Sequence, residues 1–330
     1  MCFRLARRRH NVPGTTWRES SSLDELRNST ITMTGQTLIT IVGPTGVGKT
    51  ALAIELAERL NGEIVSADSR QIYRGMDIGT GKPTSEQLAQ VRHNLIDRVD
   101  PDQSYTLAEY QADAYAAIES IFAQGKQPLL VGGTGLYIRA VTDGLMIPEV
   151  PPNPALRAEL ESRSGADLYA ELQQIDPVAA LKIDPRNVRR TIRALEVYRE
   201  TGQRFSELGQ VNPPPFAVRR LGLTLPREEL YRRVDARVDE MIARGWLDEV
   251  RGLAAKYAWH LPALSSLGYP QMGAVLRGEL TLADAAREIK HHTHRFIRHQ
   301  YAWFHPGDAR IAWVDASHGD LPGVLAAIQL

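Results

Sequence analysis

The amino-acid sequence predicts an α/β fold: a parallel β-sheet flanked by helices, with an inserted all-helical subdomain. Short apolar runs alternate with amphipathic helical segments up to residue 147 and again after residue 204. Between residues 148 and 203 the strand pattern disappears and only helical periodicity remains. Because alternating strands and helices form parallel sheets with right-handed crossovers, ligands should bind beyond the carboxyl ends of the strands.

Three strand patterns and two helix patterns make up the first part of the sheet. The strands are short apolar runs, whereas the helices carry apolar residues at helical spacing. In chain order the segments are the strand Leu38–Val42, the helix Ala51–Leu60, the strand Glu63–Ser66, the helix Ala108–Phe122 and the strand Pro128–Val131. The loops that follow the first and third strands are rich in glycine, and both lie where such sheets bind ligands.

A proline-rich linker marks the start of the helical insertion. It contains Pro148, Pro151, Pro152 and Pro154, and helical segments then continue to Gln203. The chain returns to the core through the strand Arg219–Leu225, the helices Arg227–Ala243, Trp246–Tyr257 and Thr281–Phe304, and the strand Ile311–Val314. We therefore divide the chain into an N-terminal extension (1–36), a first part of the core (37–147), a helical subdomain (148–203) and a second part of the core (204–330).

Composition limits the classes of function. Of the 330 residues, 43% are hydrophobic and 24% are charged, which is enough for one large or two smaller folded domains. Lys plus Arg and Asp plus Glu each number 39, so any nucleic-acid surface has to be local. The single cysteine, Cys2, excludes an internal disulfide, and no apolar run approaches the roughly 20 residues of a membrane span. We expect a cytoplasmic monomer without a membrane partner.

The first 32 residues differ from the rest of the chain. They contain several arginines and a short serine run but no helical or strand periodicity. An organellar presequence fits them poorly because Glu19, Asp24 and Glu25 are acidic. We interpret the segment as a disordered extension, or as the product of a start codon assigned upstream of Met33, and expect a chain that begins at Met33 to keep its activity.

The loop after the first strand matches the phosphate-binding pattern G-x-x-x-x-G-K-[ST], with the sequence Gly43-Pro44-Thr45-Gly46-Val47-Gly48-Lys49-Thr50. Its glycines let backbone N–H groups point at phosphate oxygens, the helix N-terminus adds partial positive charge, and Lys49 adds a full charge. Thr50 is the candidate ligand of Mg²⁺, which we expect as the cofactor. The motif predicts a P-loop NTPase-like core; the alternative is a tight turn that binds nothing.

A P-loop enzyme also needs an acid near the end of a strand. Asp68 follows the second strand and has hydrogen-bonding neighbours, Ser69, Arg70, Gln71 and Tyr73. Asp97 follows only a weak apolar run, and the third strand ends in Gly132-Gly133-Thr134 without an acid. We therefore favour Asp68, although a helix N-cap is an alternative role for it.

Further segments combine with the P-loop in a specific order. They are Ser66-Ala67-Asp68-Ser69-Arg70-Gln71-Ile72-Tyr73-Arg74-Gly75-Met76-Asp77-Ile78-Gly79-Thr80, Lys82-Pro83, Gly132-Gly133-Thr134-Gly135-Leu136-Tyr137, Arg189-Arg190-Thr191-Ile192-Arg193-Ala194-Leu195-Glu196 and Leu267-Gly268-Tyr269. Together they resemble the signatures of the tRNA dimethylallyltransferases, also called tRNA isopentenyltransferases or the IPP transferase family. The resemblance extends from about residue 37 to residue 305.

The resemblance implies that the N6 amine of the adenine 3′ of the anticodon attacks C1 of dimethylallyl diphosphate and releases diphosphate. The P-loop, with Arg237, then binds the diphosphate and transfers no phosphoryl group. Asp68 is implied as the general base, because the lone pair of the amine is delocalised into the ring. Lys49 is implied to stabilise the leaving group, and Thr134 to touch the RNA near the reacting base. Alternatively, Arg237 is a solvated side chain and Thr134 caps the following helix.

The resemblance also implies that the enzyme grips the anticodon stem-loop and extrudes the target base. The residues implied to contact tRNA are Asp68, Ser69, Arg70, Gln71, Thr134, Arg157, Arg189, Arg190, Thr191, Ile192 and Arg193. Arginine suits both phosphate contact and base stacking. The alternative for the run 189–193 is a helix whose charges are simply solvated.

Two segments depart from the family pattern. The stretch 265–270 lacks the basic residues that often flank the Gly-Tyr pair, and histidines stand at positions 294 and 299 where the family usually has arginine. The charge of that helix face should then depend on pH. A zinc site in the histidine-rich segment 291–299 is a weaker interpretation than RNA contact, because the segment itself contains no cysteine and no acidic residue.

Two other enzymatic functions remain open at this stage, and a nucleotide-gated binding module without chemistry, in which Asp68 would be incidental, is a third alternative. A prenyltransferase that acts on free adenine nucleotides would share the P-loop and the base but would not need the helical subdomain. A P-loop kinase of small metabolites or nucleotides is predicted by the P-loop alone. The tRNA species and the prenyl chain length are not specified by the sequence.

Overall fold

The described residues of the computed structural model, 35–148, 150–208, 211–317 and 321–327, form a six-stranded parallel sheet. The strands are β1 (Thr37–Val42), β2 (Gly62–Ser66), β3 (His93–Asn94), β4 (Gln127–Val131), β5 (Ala217–Thr224) and β6 (Ile311–Asp315). Their order is β3-β2-β4-β1-β5-β6, so β1 lies in the interior of the sheet between β4 and β5. The predicted α/β class with a parallel sheet is confirmed.

The described part of the chain contains thirteen α-helices; some cover the two faces of the sheet, and those between residues 154 and 201 pack in a layer of their own. The helices are α1 (Lys49–Arg59), α2 (Ser85–Gln90), α3 (Leu107–Ala123), α4 (Gly135–Thr142), α5 (Pro154–Glu161), α6 (Gly165–Ile175), α7 (Pro177–Lys182), α8 (Val188–Thr201), α9 (Arg227–Ala243), α10 (Trp246–Ala254), α11 (Tyr269–Leu276), α12 (Leu282–Trp303) and α13 (Leu321–Ala327). None of the helices in the described part of the chain combines the length and the apolarity that crossing a bilayer requires.

The central strand is buried on both faces. Ile39 and Ile41 belong to one apolar cluster, while Leu38 and Val42 belong to the cluster on the other side. Successive side chains of a strand point to opposite faces, so a strand covered on both sides is apolar throughout. This explains why the short continuous apolar run in the sequence is a reliable strand signal.

The structure adds one strand that the sequence pattern did not reveal. Strand β3 has only two residues, His93 and Asn94, which pair with Ile64 and Val65 of β2. A two-residue polar segment has no detectable periodicity, so only the tertiary pairing identifies it as a strand. The predicted segments elsewhere in the sheet agree with the structure to within a few residues.

Helices α5 to α8 pack around a separate apolar cluster that includes Leu160, Leu168, Leu172 and Leu195. The segment 154–201 contains no strand among its residues, all of which are described. The helical insertion predicted from the sequence is therefore a layer of helices with its own core. The predicted N-terminal extension, 1–36, lies outside the described residues except for positions 35 and 36.

Candidate functional site

The P-loop connects β1 to α1 at the carboxyl edge of the sheet. Its residues Gly46 and Gly48 adopt φ angles of 79° and 105°, which side chains rarely allow. A Cβ atom at Gly46 would lie 2.3 Å from Val234 of α9, so glycine is also needed there for close packing. The glycines thus let the loop curl tightly against α9 and begin α1 at Lys49.

Lys49 is folded back onto its own loop. Its Nζ donates hydrogen bonds to the carbonyl oxygens of Gly43 and Pro44, at 2.9 and 2.8 Å. Burial lowers the pKa of Lys49 from 10.5 to about 8; the negative charge of Asp68 opposes this shift, and the positive charge of Arg237 adds to it. Lys49 is therefore a cation at neutral pH that lacks a full counter-charge, which is a suitable state for binding an anion.

A polar cavity of about 380 Å³ opens over the P-loop. Its wall includes Lys49 and Thr50 of the P-loop, Asp68, and the arginines Arg237 and Arg244. Basic side chains predominate around it, since Lys82 and Arg233 also line the wall and Glu240 is the other acid. The cavity has the dimensions and charge for a small phosphorylated group.

Asp68 follows β2 and lies on the wall of this cavity. Its Oδ1 accepts a hydrogen bond from the backbone N–H of Arg70 at 2.9 Å, which shapes a turn. No helix begins there, so the N-cap role does not apply. Asp68 also lines the neighbouring cavity, which places its carboxylate at the junction of the two.

Thr134 is adjacent to this turn. Its Oγ1 accepts a hydrogen bond from the N–H of Ser69 at 3.0 Å and lies 3.3 Å from Ser69 Oγ, to which it donates. Thr134 occupies the N-cap position of α4, but its side chain makes no capping hydrogen bond. The hydroxyl therefore joins the loop after β4 to the residue that follows Asp68.

Arg237 projects from α9 toward the same junction. It lines both cavities, and its Nη2 lies 3.5 Å from the carbonyl oxygen of Gly81. Burial lowers the pKa of Arg237, while the nearby negative charge of Asp68 opposes that shift. Arg237 is partly buried and faces the cavities, so it is not a fully solvated side chain of the outer helix face.

The second cavity is more apolar and measures about 430 Å³. Its wall includes Met241, Trp246, Leu267, Ile289 and Phe296. It shares Thr45, Asp68, Thr80, Gly133, Arg237 and Met241 with the polar cavity. A ligand with an anionic end and an apolar end could therefore occupy both cavities, with its midpoint near Asp68.

The C-terminal part of α12 closes against both glycine-rich loops. Gln300 is buried, and its amide bonds to the N–H of Thr45 at 2.8 Å and to the carbonyl oxygen of Gly133 at 3.2 Å. A Cβ atom at Gly133 would lie 2.4 Å from Gln300 Nε2. Glycine at position 133 is thus required by the close approach of this side chain.

One carboxylate fixes the loop that covers the polar cavity. Glu249 of α10 accepts hydrogen bonds from the backbone N–H groups of Asp77, Ile78 and Gly79, at 2.8, 2.6 and 3.2 Å. It also accepts one from the hydroxyl of Tyr269 at 2.8 Å. The loop continues directly into Thr80 and Gly81, which line the polar cavity. Glu249 therefore holds one wall of the site.

Lys82 stabilises the same loop from inside. Its buried Nζ donates to the carbonyl oxygen of Tyr73 at 2.7 Å and to Asp77 at 2.6 Å, and it also pairs with Asp97. Asp97, the weaker candidate for the acid, thus serves as an ion-pair partner of Lys82 and does not line either cavity. This arrangement favours Asp68 as the acid of the site.

The residues implied to contact tRNA lie in two groups. Asp68, Ser69, Arg70 and Thr134 line the apolar cavity, and Gln71 lines the polar cavity. The other group, Arg157 and the run 189–193, lies in the helical subdomain and lines neither cavity.

The run 189–193 is divided by the helical period of α8. Arg189 and Arg190 are exposed, whereas the side chains of Thr191 and Ile192 are buried against the helical subdomain. These two side chains therefore have a packing role, because residues of a helix face different sides, and the contact of this run with tRNA stays a prediction that the exposed Arg189 and Arg190 can best fulfil.

Arg157 and Arg193 are bound to a buried carboxylate. Glu196 is fully buried and accepts from Arg157 at 2.7 Å, from Arg193 at 2.6 Å and from the N–H of Asn153 at 2.8 Å. Burial alone would raise the pKa of Glu196, but these hydrogen bonds outweigh it and lower the pKa. In this structure both arginines therefore brace the helical subdomain.

In the histidine-rich segment, His294 has an acidic partner from another helix. Its Nε2 lies 2.8 Å from Asp235 Oδ1 of α9, and its ring stacks on Tyr231 at 3.9 Å between centroids. His299 lines the apolar cavity. The sequence did not reveal the partner Asp235 because it is far from His294 along the chain.

Sequence reasoning also missed Glu249 and Gln300. Gln300 lies on the buried face of α12, in line with Ile289 and Ile297. A glutamine at a helical position where an apolar residue is expected indicates a buried polar contact, so the sequence did contain a signal for it. Glu249 lies on an ordinary amphipathic helix and carried no comparable signal.

Comparison with known proteins agrees with the geometry. Residues 71–307 match the family described as IPP transferase. A tRNA dimethylallyltransferase of Herpetosiphon aurantiacus is 52% identical over 297 residues, covering 88% of this chain and 93% of the relative. A tRNA dimethylallyltransferase of Roseiflexus castenholzii is 54% identical over 272 residues, covering 81% and 89%.

Solved structures show the same fold. The full-length tRNA isopentenylpyrophosphate transferase of Bacillus halodurans superimposes with a TM-score of 0.65 at 39% identity, over 87% of this chain and 92% of that one. A eukaryotic dimethylallyltransferase acting on tRNA superimposes with a TM-score of 0.76 at 28% identity, over 89% of this chain and 78% of that one. By sequence and by fold, this chain belongs to the IPP transferase family.

Proposed function

We propose that this protein transfers a dimethylallyl group from dimethylallyl diphosphate to N6 of the adenosine immediately 3′ of the anticodon in tRNA. The observation that carries the proposal is the junction at Asp68, where a basic polar cavity meets an apolar one. An allylic diphosphate has the same division into an anionic and an apolar end. The names of the relatives, which are tRNA dimethylallyltransferases, support the same substrate class.

In this proposal the diphosphate binds over residues 43–50. Backbone N–H groups at the start of α1, together with Lys49 and Arg237, would stabilise the negative charge that develops on the leaving group. Lys49 and the start of α1 face only the polar cavity, whereas Arg237 lines both cavities and lies close to the point where the diphosphate would join the prenyl group.

The site is compatible with Mg²⁺. Thr50 lines the polar cavity, and among the described residues no group of three or more His, Cys, Asp or Glu side chains is arranged to hold a metal ion. Mg²⁺ accepts such sparse protein ligation, because phosphate oxygens and waters complete its shell. Bound through Thr50, the ion would add positive charge beside the leaving diphosphate.

The reaction is a substitution at C1 of the prenyl group. The adenine N6 forms the new C–N bond, the C1–O bond breaks, and its electron pair leaves with the diphosphate. Asp68 would accept the proton that N6 loses, since its carboxylate lies where the two cavities meet. Thr134 would position Asp68 indirectly through Ser69 and lies on the apolar wall, where the target base would enter.

The RNA would be held by both parts of the molecule. Ser69, Arg70 and Thr134 lie at the cavity, and the exposed Arg189 and Arg190 lie on the helical subdomain. The target base must leave the stack of the anticodon loop to reach Asp68. We also propose that the enzyme acts as a monomer and, because the substrate named for its relatives is tRNA, that it works in the cytoplasm.

Incubation of the protein with dimethylallyl diphosphate, Mg²⁺ and an unmodified anticodon stem-loop tests the proposal. Mass spectrometry of the digested RNA should show one adenosine heavier by a dimethylallyl group, with release of one diphosphate per event. The result against it would be unmodified RNA under conditions where the protein is folded.

Two further substrates separate the alternatives. If AMP is prenylated as efficiently as the stem-loop, the protein is a nucleotide prenyltransferase. If ATP is consumed and no prenylated product forms, it is a kinase. We expect turnover only with the stem-loop and dimethylallyl diphosphate.

A further inference from the structure

The buried amide of Gln300 occupies a P-loop donor that would otherwise be available to a phosphate. Its Oε1 accepts from the backbone N–H of Thr45 at 2.8 Å, and its Nε2 donates to the carbonyl oxygen of Gly133 at 3.2 Å. Gln300 is only 4% exposed, so both hydrogen bonds are protected from water. Such bonds are costly to break because each freed group would be left unsatisfied.

The amide of Gln300 borders only one of the two cavities. Gln300 lines the apolar cavity and does not line the polar one, whereas Thr45 lies on the wall of both. Thr45 is therefore the P-loop residue at the boundary, and Gln300 caps its N–H on the apolar side. Donors farther along the loop, toward Gly48 and Lys49, face the polar cavity.

Beyond this boundary, the wall is mainly apolar, with Met241 and Trp246, and Asp68 contributes a carboxylate at the junction. Arg70, Arg237 and His299 also line this cavity, so charge by itself does not exclude an anion there. A third phosphate would lie beside Asp68 and could not bind the N–H of Thr45, the donor that Gln300 occupies. An apolar group joined to a diphosphate meets neither difficulty.

We propose that Gln300 determines how many phosphates the P-loop accepts: by occupying the N–H of Thr45 it ends the anion site after two phosphates and reserves the space beyond for the transferred group. This inference rests on the proposed function for the identity of that group. Gln300 would then be a specificity-determining residue. It would make this P-loop select a diphosphate, whereas P-loops usually bind a nucleoside triphosphate.

The proposal is tested with two inorganic probes, pyrophosphate and tripolyphosphate, whose dissociation constants are measured by calorimetry in the presence of Mg²⁺. The wild-type protein should prefer pyrophosphate. In Gln300→Ala the N–H of Thr45 and the space next to it become available, so the preference should shift toward tripolyphosphate by roughly 10- to 100-fold, the range expected for a hydrogen bond to a charged group.

Two variants distinguish selectivity from general damage. Gln300→Glu retains an acceptor oxygen for the N–H of Thr45 and should keep the preference for pyrophosphate, even if both probes bind more weakly. Gln127→Ala is the matched control, because the Gln127 side chain likewise makes two hydrogen bonds to the backbone, donating to the carbonyl oxygens of Thr37 and Pro128, but at the edge of the sheet opposite the P-loop. It should lower the melting temperature and leave the preference unchanged.

An unchanged ratio of the two dissociation constants in folded Gln300→Ala would overturn the proposal, and so would an equal shift in Gln127→Ala. These measurements contain no prenyl donor and no RNA. A failure to modify the stem-loop would therefore count against the proposed function and would not affect this result.

Discussion

Asp68 combines two local features that make it suitable as a base. Its Oδ1 is held by the N–H of Arg70, and the turn after it is held by Thr134, so the carboxylate is oriented before any substrate binds. Basic groups surround the polar side of the junction, and the apolar cavity lies on the other side. Asp68 therefore borders both the groups that would bind the diphosphate and the space that would hold the prenyl group and the target base.

Replacing Asp68 with asparagine should affect turnover far more than binding. Asparagine keeps an oxygen for the N–H of Arg70 but cannot accept the proton, so kcat should fall by roughly 10²–10⁴-fold. The dissociation constant of pyrophosphate should change little, as calorimetry can check. Asp102→Asn, at an exposed site outside both cavities, is the control. Near-normal turnover of Asp68→Asn would refute its role as the base.

The affinity for diphosphate should fall as the pH rises above about 8, the pKa of Lys49 in the free protein. Lys49 is protonated below that pH and neutral above it, and an anion binds the protonated form more tightly. The dissociation constant of pyrophosphate, measured between about pH 6.5 and 9.5, should therefore increase in the alkaline range. In Lys49→Met the dissociation constant should change with pH only because pyrophosphate itself gains or loses protons. Identical pH profiles for the two proteins would contradict this.

At the scale of elements, the loop 77–81 depends on a helix that is distant in the sequence. Glu249 of α10 is separated by 172 positions from Asp77, the first residue of the loop, yet it bonds three consecutive backbone N–H groups there. A loop without regular structure has few hydrogen bonds of its own, so this carboxylate replaces the bonds that a helix or strand would have supplied.

Glu249→Ala should destabilise the protein and loosen the wall of the polar cavity. Loss of several charge-assisted hydrogen bonds is expected to cost about 2–5 kcal/mol of unfolding free energy, measurable by denaturant titration. The KM for dimethylallyl diphosphate should rise more than that for the stem-loop. Glu279→Ala, which breaks an exposed ion pair with Arg277, should change stability little, because solvent screens that pair. Equal effects of the two variants would show that Glu249 is not an anchor.

Loss of Glu196 should destabilise the helical subdomain, as loss of Glu249 should destabilise the loop 77–81. This buried carboxylate pairs with Arg157 and Arg193, and removal of one partner of a buried pair typically costs about 3–5 kcal/mol. Since the pKa of Glu196 is below its unfolded value, its stabilisation is present above the unfolded pKa and is lost as the pH falls through the folded pKa.

Thermal unfolding of Glu196→Leu at neutral pH should show a clear loss of stability, together with weaker binding of the stem-loop. Affinity for pyrophosphate should remain near that of the wild type, because Glu196 lines neither cavity. Unchanged stability would mean that the two arginines are not held by this carboxylate in solution. Glu161→Leu, an exposed site on α5, controls for the change of side chain.

At the scale of the whole molecule, a protein with balanced charge must concentrate its positive surface where RNA binds. The basic side chains around the polar cavity and the exposed arginines of α8 are separate parts of that surface. They lie on different layers of the fold, so a stem-loop that reaches both would be oriented by the whole molecule.

The double variant Arg189→Ala and Arg190→Ala should weaken stem-loop binding by about tenfold or more. The logarithm of the binding constant should also depend less steeply on the logarithm of the salt concentration, by about 1 in the slope for each RNA phosphate that is no longer neutralised. Fluorescence anisotropy at several salt concentrations measures both quantities. Pyrophosphate affinity should be unchanged. Arg59→Ala is the control, since this exposed residue lies at the C-terminal end of α1, at the edge of the sheet opposite the P-loop. An unaltered salt slope would exclude these arginines from the RNA interface.

Local patterns were sufficient for much of the site. The P-loop follows from eight consecutive residues, and Asp68 follows from its place after a strand, because strand ends of a parallel sheet meet at one edge. The alternation of strands and helices also determined the α/β class. Roles that depend on distant contacts could not be predicted in this way. Thr134 was a possible helix cap, and Arg237 a possible solvated side chain, until the packing excluded both roles.

Residues close together in the chain specify the parallel α/β class, the phosphate loop and the acid beside it, so local patterns predict all three. The polar groups that position them are identified only by the three-dimensional structure. Gln300 meets Thr45 across 255 positions, and Glu249 meets Asp77 across 172. Packing also decided that Thr191 and Ile192 face the helical core while Arg189 and Arg190 face solvent. Such contacts form only when the folded chain brings distant segments together, so no local pattern of residues contains them.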